Sequence, residues 1–251
     1  MTPGGTHQPN FRAAIGMVTP SANLVVERVT TAILADFPDV SAHFSRTPVF
    51  GSVDPYPDDY DWDGMLGAAR LLAHAGPDVI AWNGSKGAML GFAADRAFCD
   101  RVTAETGIAA TTSSVALQAA LAAFGARRVA LVTPYASAYQ TKLIAGFARE
   151  GIDIVAEAHA GVADNLALAA VPDATIAAMA RRVASAAPDA ILTWCTNFPA
   201  AYAVHDLEQE LGVPILDAVT LAVWHALRLV GAADARGRSW GRLFALEAGG
   251  P

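Results

Sequence analysis

The stretch Pro188-Asp189-Ala190-Ile191-Leu192-Thr193-Trp194-Cys195-Thr196-Asn197 decides how the rest of the chain is read. A Pro-Asp turn feeds a short apolar run, which stops on a thiol and two small polar residues before Pro199 breaks the chain. This is the pattern of a buried strand with a polar mouth, the place where open parallel sheets put their chemistry. It has a partner in Pro77-Asp78-Val79-Ile80-Ala81-Trp82-Asn83, which repeats the turn, the apolar run and the ending of tryptophan plus a polar residue. Upstream of each stands a strand ending in Thr-Pro: Ile15-Gly16-Met17-Val18-Thr19-Pro20-Ser21-Ala22 and Val129-Ala130-Leu131-Val132-Thr133-Pro134-Tyr135-Ala136. From threonine to polar ending the distance is 64 residues in the first half (83 − 19) and 62 in the second (195 − 133). One α/β unit used twice is therefore expected, with four strand ends meeting in one cleft and Asn83 as the symmetry mate of Cys195.

The alternation of strand and helix patterns along both halves implies parallel βαβ units. Strands are predicted over 12–18, 42–49, 77–82, 128–132, 152–157, 188–194 and 213–216. Helices are predicted over 24–35, 62–75, 90–105, 115–124, 137–150, 174–187, 200–211 and 221–230, with 111–114 as a cap. The expected architecture is α/β, two pseudo-symmetric Rossmann-like lobes with parallel sheets and the site in the cleft between them. The first lobe takes 12–114 and the C-terminal 217–251, the second takes 115–216, and 1–11 reads as a disordered tail. The loop 50–59, rich in proline and acids, reads as a lid, and 240–244 as a segment docking back on the body.

Composition narrows the partners. The 251 residues carry a net charge of −7 with pI near 5.3, which gives no basic footprint for nucleic acid. No apolar run approaches the ~18 residues of a membrane helix, and the Gly/Pro-rich start has no targeting pattern. Two cysteines, Cys99 and Cys195, make no disulfide framework, so a cytoplasmic setting is expected. A homo-oligomer is left open.

Asn83-Gly84-Ser85-Lys86-Gly87 lies between a strand and a helix. It fits neither phosphate-loop pattern and misses the nucleophile elbow by one glycine. Ser85, Asp217 and His225 come in hydrolase order, but His225 falls inside a predicted helix. The better reading is a set of N–H and O–H donors at a helix start, able to hold a carboxylate or an enolate. Tyr135 is either core packing or a donor facing Cys195. Ser21 and Asn23 are donors in the first half or simply helix caps. The six histidines show no ligand spacing, so no metal is expected. Cys99 reads as structural, and Lys86 as a carboxylate partner or a surface charge.

Together with Cys195, four stretches resemble the aspartate/glutamate racemase superfamily, in its arylmalonate decarboxylase and maleate cis-trans isomerase branch. They are Gly51-Ser52-Val53 with Tyr60-Asp61, Arg127-Arg128-Val129-Ala130-Leu131 with Tyr135, Gly212-Val213-Pro214, and Gly241-Arg242-Leu243-Phe244. The resemblance implies a dioxyanion hole on Gly84, Ser85, Tyr135, Cys195 and Thr196, with Pro20, Ser21 and Tyr60 closing the site. It places Asn23 and Asn197 as isomerase-like carboxylate grips, and Asn83 where racemases and isomerases carry a first cysteine. No cofactor is implied, since the anion hole replaces an electron sink, and the ligand is a small mono- or dicarboxylate. The expected activity is decarboxylation of malonate-type acids through an enediolate protonated by Cys195. The alternatives are isomerisation of a small unsaturated diacid, or a silent acid-binding homologue.

Overall fold

The computed structural model describes residues 11–49 and 59–246. Most of the predicted lid and nearly all of the predicted tail therefore lie outside the described residues. The chain forms two four-stranded parallel sheets, the first in the order β2-β1-β3-β4 and the second in the order β6-β5-β7-β8. Their strands are β1 (Ala13–Pro20), β2 (Val40–Thr47), β3 (Val79–Trp82) and β4 (Ala109–Thr112), then β5 (Arg128–Tyr135), β6 (Asp153–Val162), β7 (Ala190–Thr193) and β8 (Ile215–Asp217). Adding four to each label of the first sheet gives the second, so the repeat is a repeat of topology. Helices cover both faces: α1 (Val26–Leu34), α2 (Trp62–Ala73), α3 (Gly87–Leu90), α4 (Phe92–Thr106), α5 (Ser113–Phe124), α6 (Ser137–Arg149), α7 (Asp173–Ala184), α8 (Val204–Leu211) and α9 (Ala218–Leu229). That double cover is why β3 is a continuous apolar run and β7 is apolar up to Thr193, both buried at every position.

The two Pro-Asp turns pin register. Asp78 accepts the backbone N–H of Ala14 at 2.8 Å, and Asp189 accepts those of Arg127 and Arg128 at 2.9 and 2.8 Å. Val18 then pairs with Trp82, and Val132 with Thr193. Since each valine precedes the same Thr-Pro, Trp82 corresponds to Thr193 and Gly84 to Cys195. This corrects the expectation for Asn83, whose mate is Trp194; each donates its N–H to the matching valine carbonyl at 3.0 Å. The carboxylate at the start of the strand sets the register, and the tryptophans are offset by one residue across the repeat.

Strand β4 is absent from the sequence reading, which took 111–114 only as a cap. Thr112 does both jobs, ending β4 and accepting the Val115 N–H at 3.1 Å to cap α5. Its mate Asp217 ends β8 and caps α9 through the N–H groups of Val219 and Thr220, at 2.9 and 3.1 Å. That cap starts α9 at Ala218, earlier than the predicted 221. Helix α9 then packs on β3 and β4 of the first sheet and on α5. Leu243 and Phe244 are buried in a 3-10 turn over Arg242–Ala245, as the docking segment predicts.

Candidate active site

The ends of β1, β3, β5 and β7 surround a cavity of about 260 Å³. Gly84 and Ser85 follow β3, Tyr135 ends β5, and Cys195 and Thr196 follow β7, and all five line the cavity. The path of the Ser85 loop depends on missing side chains. A Cβ on Gly84 would stand 2.2 Å from the Trp82 ring, and one on Gly87 would stand 1.6 Å from Asp95 Oδ2. From the other lobe, Trp194 Nε1 donates to the Ser85 carbonyl at 2.8 Å and fixes the loop.

Cys195 is buried, 2% exposed. Its Sγ accepts the Asn197 N–H at 3.3 Å and shares a hydrogen bond with the Tyr135 hydroxyl. Burial pushes the thiol up to about 12, against those two hydrogen bonds and with the Asp217 carboxylate adding to the rise. At neutral pH the group is a thiol. Burial also raises the Tyr135 phenol well above its ordinary range, so its O–H is kept for donation. Tyr135 OH lies 3.2 Å from Ser85 Oγ and its ring 4.4 Å from that of Tyr139. Ser85, Tyr135 and Cys195 thus form one chain of O–H and S–H groups.

Opposite them, Asn23 Oδ1 accepts the N–H groups of Val25 and Val26, both at 2.8 Å, and its Nδ2 donates to Thr196 Oγ1 at 3.3 Å. Thr196 accepts there, which leaves its hydroxyl proton for the cavity. Asn197 bridges the lobes: its Oδ1 accepts the Leu24 N–H at 2.8 Å and its Nδ2 donates to the Asn165 carbonyl at 2.6 Å.

Of the other predicted residues, Pro20, Asn23, Tyr60 and Asn197 line the cavity. Tyr60 presents its ring, because its hydroxyl donates to Asp95 Oδ2 at 3.1 Å and accepts from Trp82 Nε1 at 3.2 Å. Ser21 and Asn83 do not reach the cavity. Ser21 Oγ is spent on Val49, accepting its N–H at 2.9 Å, and the buried Asn83 amide donates to the Val219 carbonyl at 3.3 Å. The sequence reading missed Thr47, Pro48, Val49, Met65, Tyr139 and Asn165, and left Lys86 undecided; all line the cavity. Tyr139 carried a signal, being four residues after Tyr135 at a helix start; Asn165 carried none.

Two buried carboxyls stand behind the lining. Asp95 accepts from the hydroxyls of Tyr60 and Thr112, and burial raises it to about 7 against those bonds. Asp217 is raised by burial to about 6, against the N–H groups of Thr220 and Val219 and the Thr193 hydroxyl at 2.9 Å. Among the described residues no group of three or more His, Cys, Asp or Glu could hold a metal ion, and no helix is long and apolar enough to cross a membrane.

A family model described as arylmalonate decarboxylase matches residues 15–244. The chain is 31% identical over 236 residues to the arylmalonate decarboxylase of Bordetella bronchiseptica, covering 92% of this chain and 95% of that protein. It is also 31% identical over 229 residues to the maleate isomerase of Nocardia farcinica, covering 85% and 88%. A solved structure of a Nocardia farcinica maleate cis-trans isomerase variant, with a covalently bound succinylcysteine intermediate, matches with a TM-score of 0.80 at 28% identity, over 92% of this chain and 98% of that one. With a family model spanning both sheets and a full-length relative on each side of it, the chain belongs to the arylmalonate decarboxylase and maleate isomerase family, a branch of the Asp/Glu racemase superfamily.

Proposed function

We propose that this protein is a cofactor-free decarboxylase of malonate-type acids, in which Cys195 protonates an enediolate. The observation that carries this reading is one buried cysteine on the cavity, held as a thiol, with Gly84 at its mate's position. One substrate carboxylate accepts hydrogen bonds from Ser85, Tyr135 and Thr196. The other lies against the apolar wall of Val49, Met65 and Trp82, where loss of water raises the energy of its charge. The C–C bond breaks, CO2 leaves, and the electron pair moves into the enediolate held by the hydroxyl donors. A well-aimed donor of this kind is worth about 3–4 kcal/mol. Cys195 then gives its S–H proton to the α-carbon, and solvent returns a proton to the thiolate. A thiol near 12 is still a far stronger acid than the carbon it protonates.

A second reading is isomerisation of an unsaturated diacid, favoured by the amides of Asn23, Asn165 and Asn197 around the same cavity. It needs a thiolate nucleophile, and burial works against that form of Cys195. The test is proton NMR in deuterated buffer, with a disubstituted arylmalonate and maleate offered separately. Monocarboxylate with one deuterium at the α-carbon supports the decarboxylase. Fumarate from maleate, with no arylmalonate turnover, overturns it. Binding without product from either leaves the protein an acid-binding homologue.

A further inference from the structure

Outside the cavity, three side chains at the carboxyl end of the second sheet stand in a row. Ser137 Oγ lies 2.9 Å from His159 Nε2, and His159 Nδ1 lies 2.9 Å from Glu157 Oε2. His159 and Glu157 alternate with Ala158 on the edge strand β6, so both point to one face, and Ser137 opens α6 beside them. The carboxylate is itself placed. The same Oε2 accepts from Gln140 Nε2 at 2.9 Å, and the buried Gln140 amide accepts the Thr133 hydroxyl at 2.7 Å. Against partial desolvation, the bonds from His159 and Gln140, with Arg182 nearby, hold the Glu157 carboxyl below its ordinary range. An ionised Glu157 accepts from Nδ1–H of the neutral imidazole, which leaves Nε2 to accept from the Ser137 hydroxyl. Nucleophile, base and orienting carboxylate then follow in the order that activates a serine.

The matching corner of the first lobe is fastened by different groups. Thr19 pairs with Arg46 as Thr133 pairs with His159, so Arg46 holds the position of the imidazole. It forms an ion pair with Glu27 and donates to the Ser21 and Asn23 carbonyls. Asn23 and Ser137 also correspond, each four residues past its threonine (23 − 19 and 137 − 133). The Asn23 side chain holds the N–H groups of Val25 and Val26 at the start of α1, whereas no side chain caps α6. A fastening needs no proton acceptor, and the first lobe has none here. Ser137 is exposed, and neither it nor His159 or Glu157 lines the cavity. The N–H groups of Ser137 and Ala138 lie in the first turn of α6, where no helical carbonyl precedes them and an oxyanion can be held.

We propose that Ser137, His159 and Glu157 form a second, hydrolytic site that cleaves small carboxylic esters, independently of the chemistry in the cavity. Ser137 Oγ adds to the ester carbonyl as its proton passes to His159 Nε2. The C–O bond to the alcohol breaks, and the imidazolium gives that proton to the departing alkoxide. Water then attacks the acyl-serine, His159 takes a proton from it and returns one to Ser137 Oγ, and the carboxylic acid leaves. The open setting of Ser137 suits short acyl groups.

The test uses 4-nitrophenyl acetate as the ester, and separately a fluorophosphonate, which phosphonylates activated serines, followed by peptide mapping. Wild type is expected to release nitrophenolate over many turnovers and to carry the phosphonyl group on Ser137. Ser137→Ala and His159→Gln should each lower kcat/KM for the ester by about 10²-fold or more. Hydrolysis by Ser137→Ala at the wild-type rate, or a phosphonyl group found only on other residues, overturns the proposal and leaves the cluster a fastening for α6. Where a variant fails to fold, the position of the adduct on wild type decides. Neither result bears on the decarboxylase reading, which stands on Cys195.

Discussion

At the scale of single residues, burial acts in opposite ways on the acids around the cavity. It keeps Cys195 and Tyr135 protonated, so both keep a proton for the donor roles proposed for them. Cys195→Ala is expected to lower kcat by about 10²–10⁴-fold, the range of a positioned general acid. Its unfolding midpoint should stay near wild type, and a variant with near wild-type turnover sinks the assignment. For Asp95 burial is a cost. Its carboxyl sits at about 7 in the folded chain against an ordinary 3.8, so between those values the folded state binds more protons than the unfolded one. Stability therefore falls as pH rises through this window, by on the order of 4 kcal/mol in full. Asp217 has the same sign up to about 6, while His225, lowered by burial to about 4, has the opposite sign up to its ordinary 6.5. Above pH 6.5 Asp95 makes the largest of the three contributions. Thermal unfolding from pH 6.5 to 8 should lose about 1 kcal/mol, or roughly 2–4 °C, and Asp95→Asn should flatten that slope. An unchanged slope in the variant means another group carries it.

At the scale of elements, the Ser85 loop is held by helix packing as much as by its own residues. Helix α6 crosses the short α3 at Gly146, where a Cβ would stand 1.8 Å from the Ala88 carbonyl. That neighbour is backbone and cannot swing aside. Gly146→Ala is expected to cost about 1–3 kcal/mol, roughly 2–12 °C at this chain length, and to lower kcat/KM by displacing Ser85. Gly67→Ala on α2, where a Cβ meets nothing within 4 Å, should instead add about 0.5–1 kcal/mol. A Gly146→Ala enzyme as stable and active as wild type would show that the two helices slide apart freely. Most elements were legible because their apolar periods are long and their turns are marked by Gly, Pro and Asp. Strand β4 was not, since Ala109-Ala110-Thr111-Thr112 is too short for a period and its Thr112 also reads as a cap. The mate of Cys195 was misplaced because tryptophan is conspicuous, whereas register is set by hydrogen bonds to Asp78 and Asp189. For Ser21 and Asn83 residue type suggested a donor; which partner each hydroxyl or amide reaches depends on Val49 and Val219, distant in sequence.

At the scale of the molecule, the repeat gives two equivalent lobes and the chemistry depends on where the equivalence fails. The lobes share one apolar core that runs from Ile15 and Met17 through Leu131 and Val132 to Leu192 and Leu216. Hydrogen bonds of Trp194 to Ser85, Asn23 to Thr196 and Leu24 to Asn197 cross between them. Calorimetry should therefore record one cooperative transition, with calorimetric and van't Hoff enthalpies in agreement; two resolved peaks would mean the lobes unfold separately. Within that shared frame, Gly84 and Cys195 occupy equivalent strand ends, so the thiol of one lobe has no thiol opposite it at the matching position of the other. On the proposed reading, a planar enediolate held between them has one face toward the Cys195 thiol and the other toward Gly84. On that reading the thiol protonates its own face, which would fix the handedness at the α-carbon. Decarboxylation of a malonate with two different α-substituents should give one enantiomer in large excess, measured by chiral chromatography of the monocarboxylate. A near-racemic product would place the proton donor in solvent, and Cys195 would lose the role argued for it.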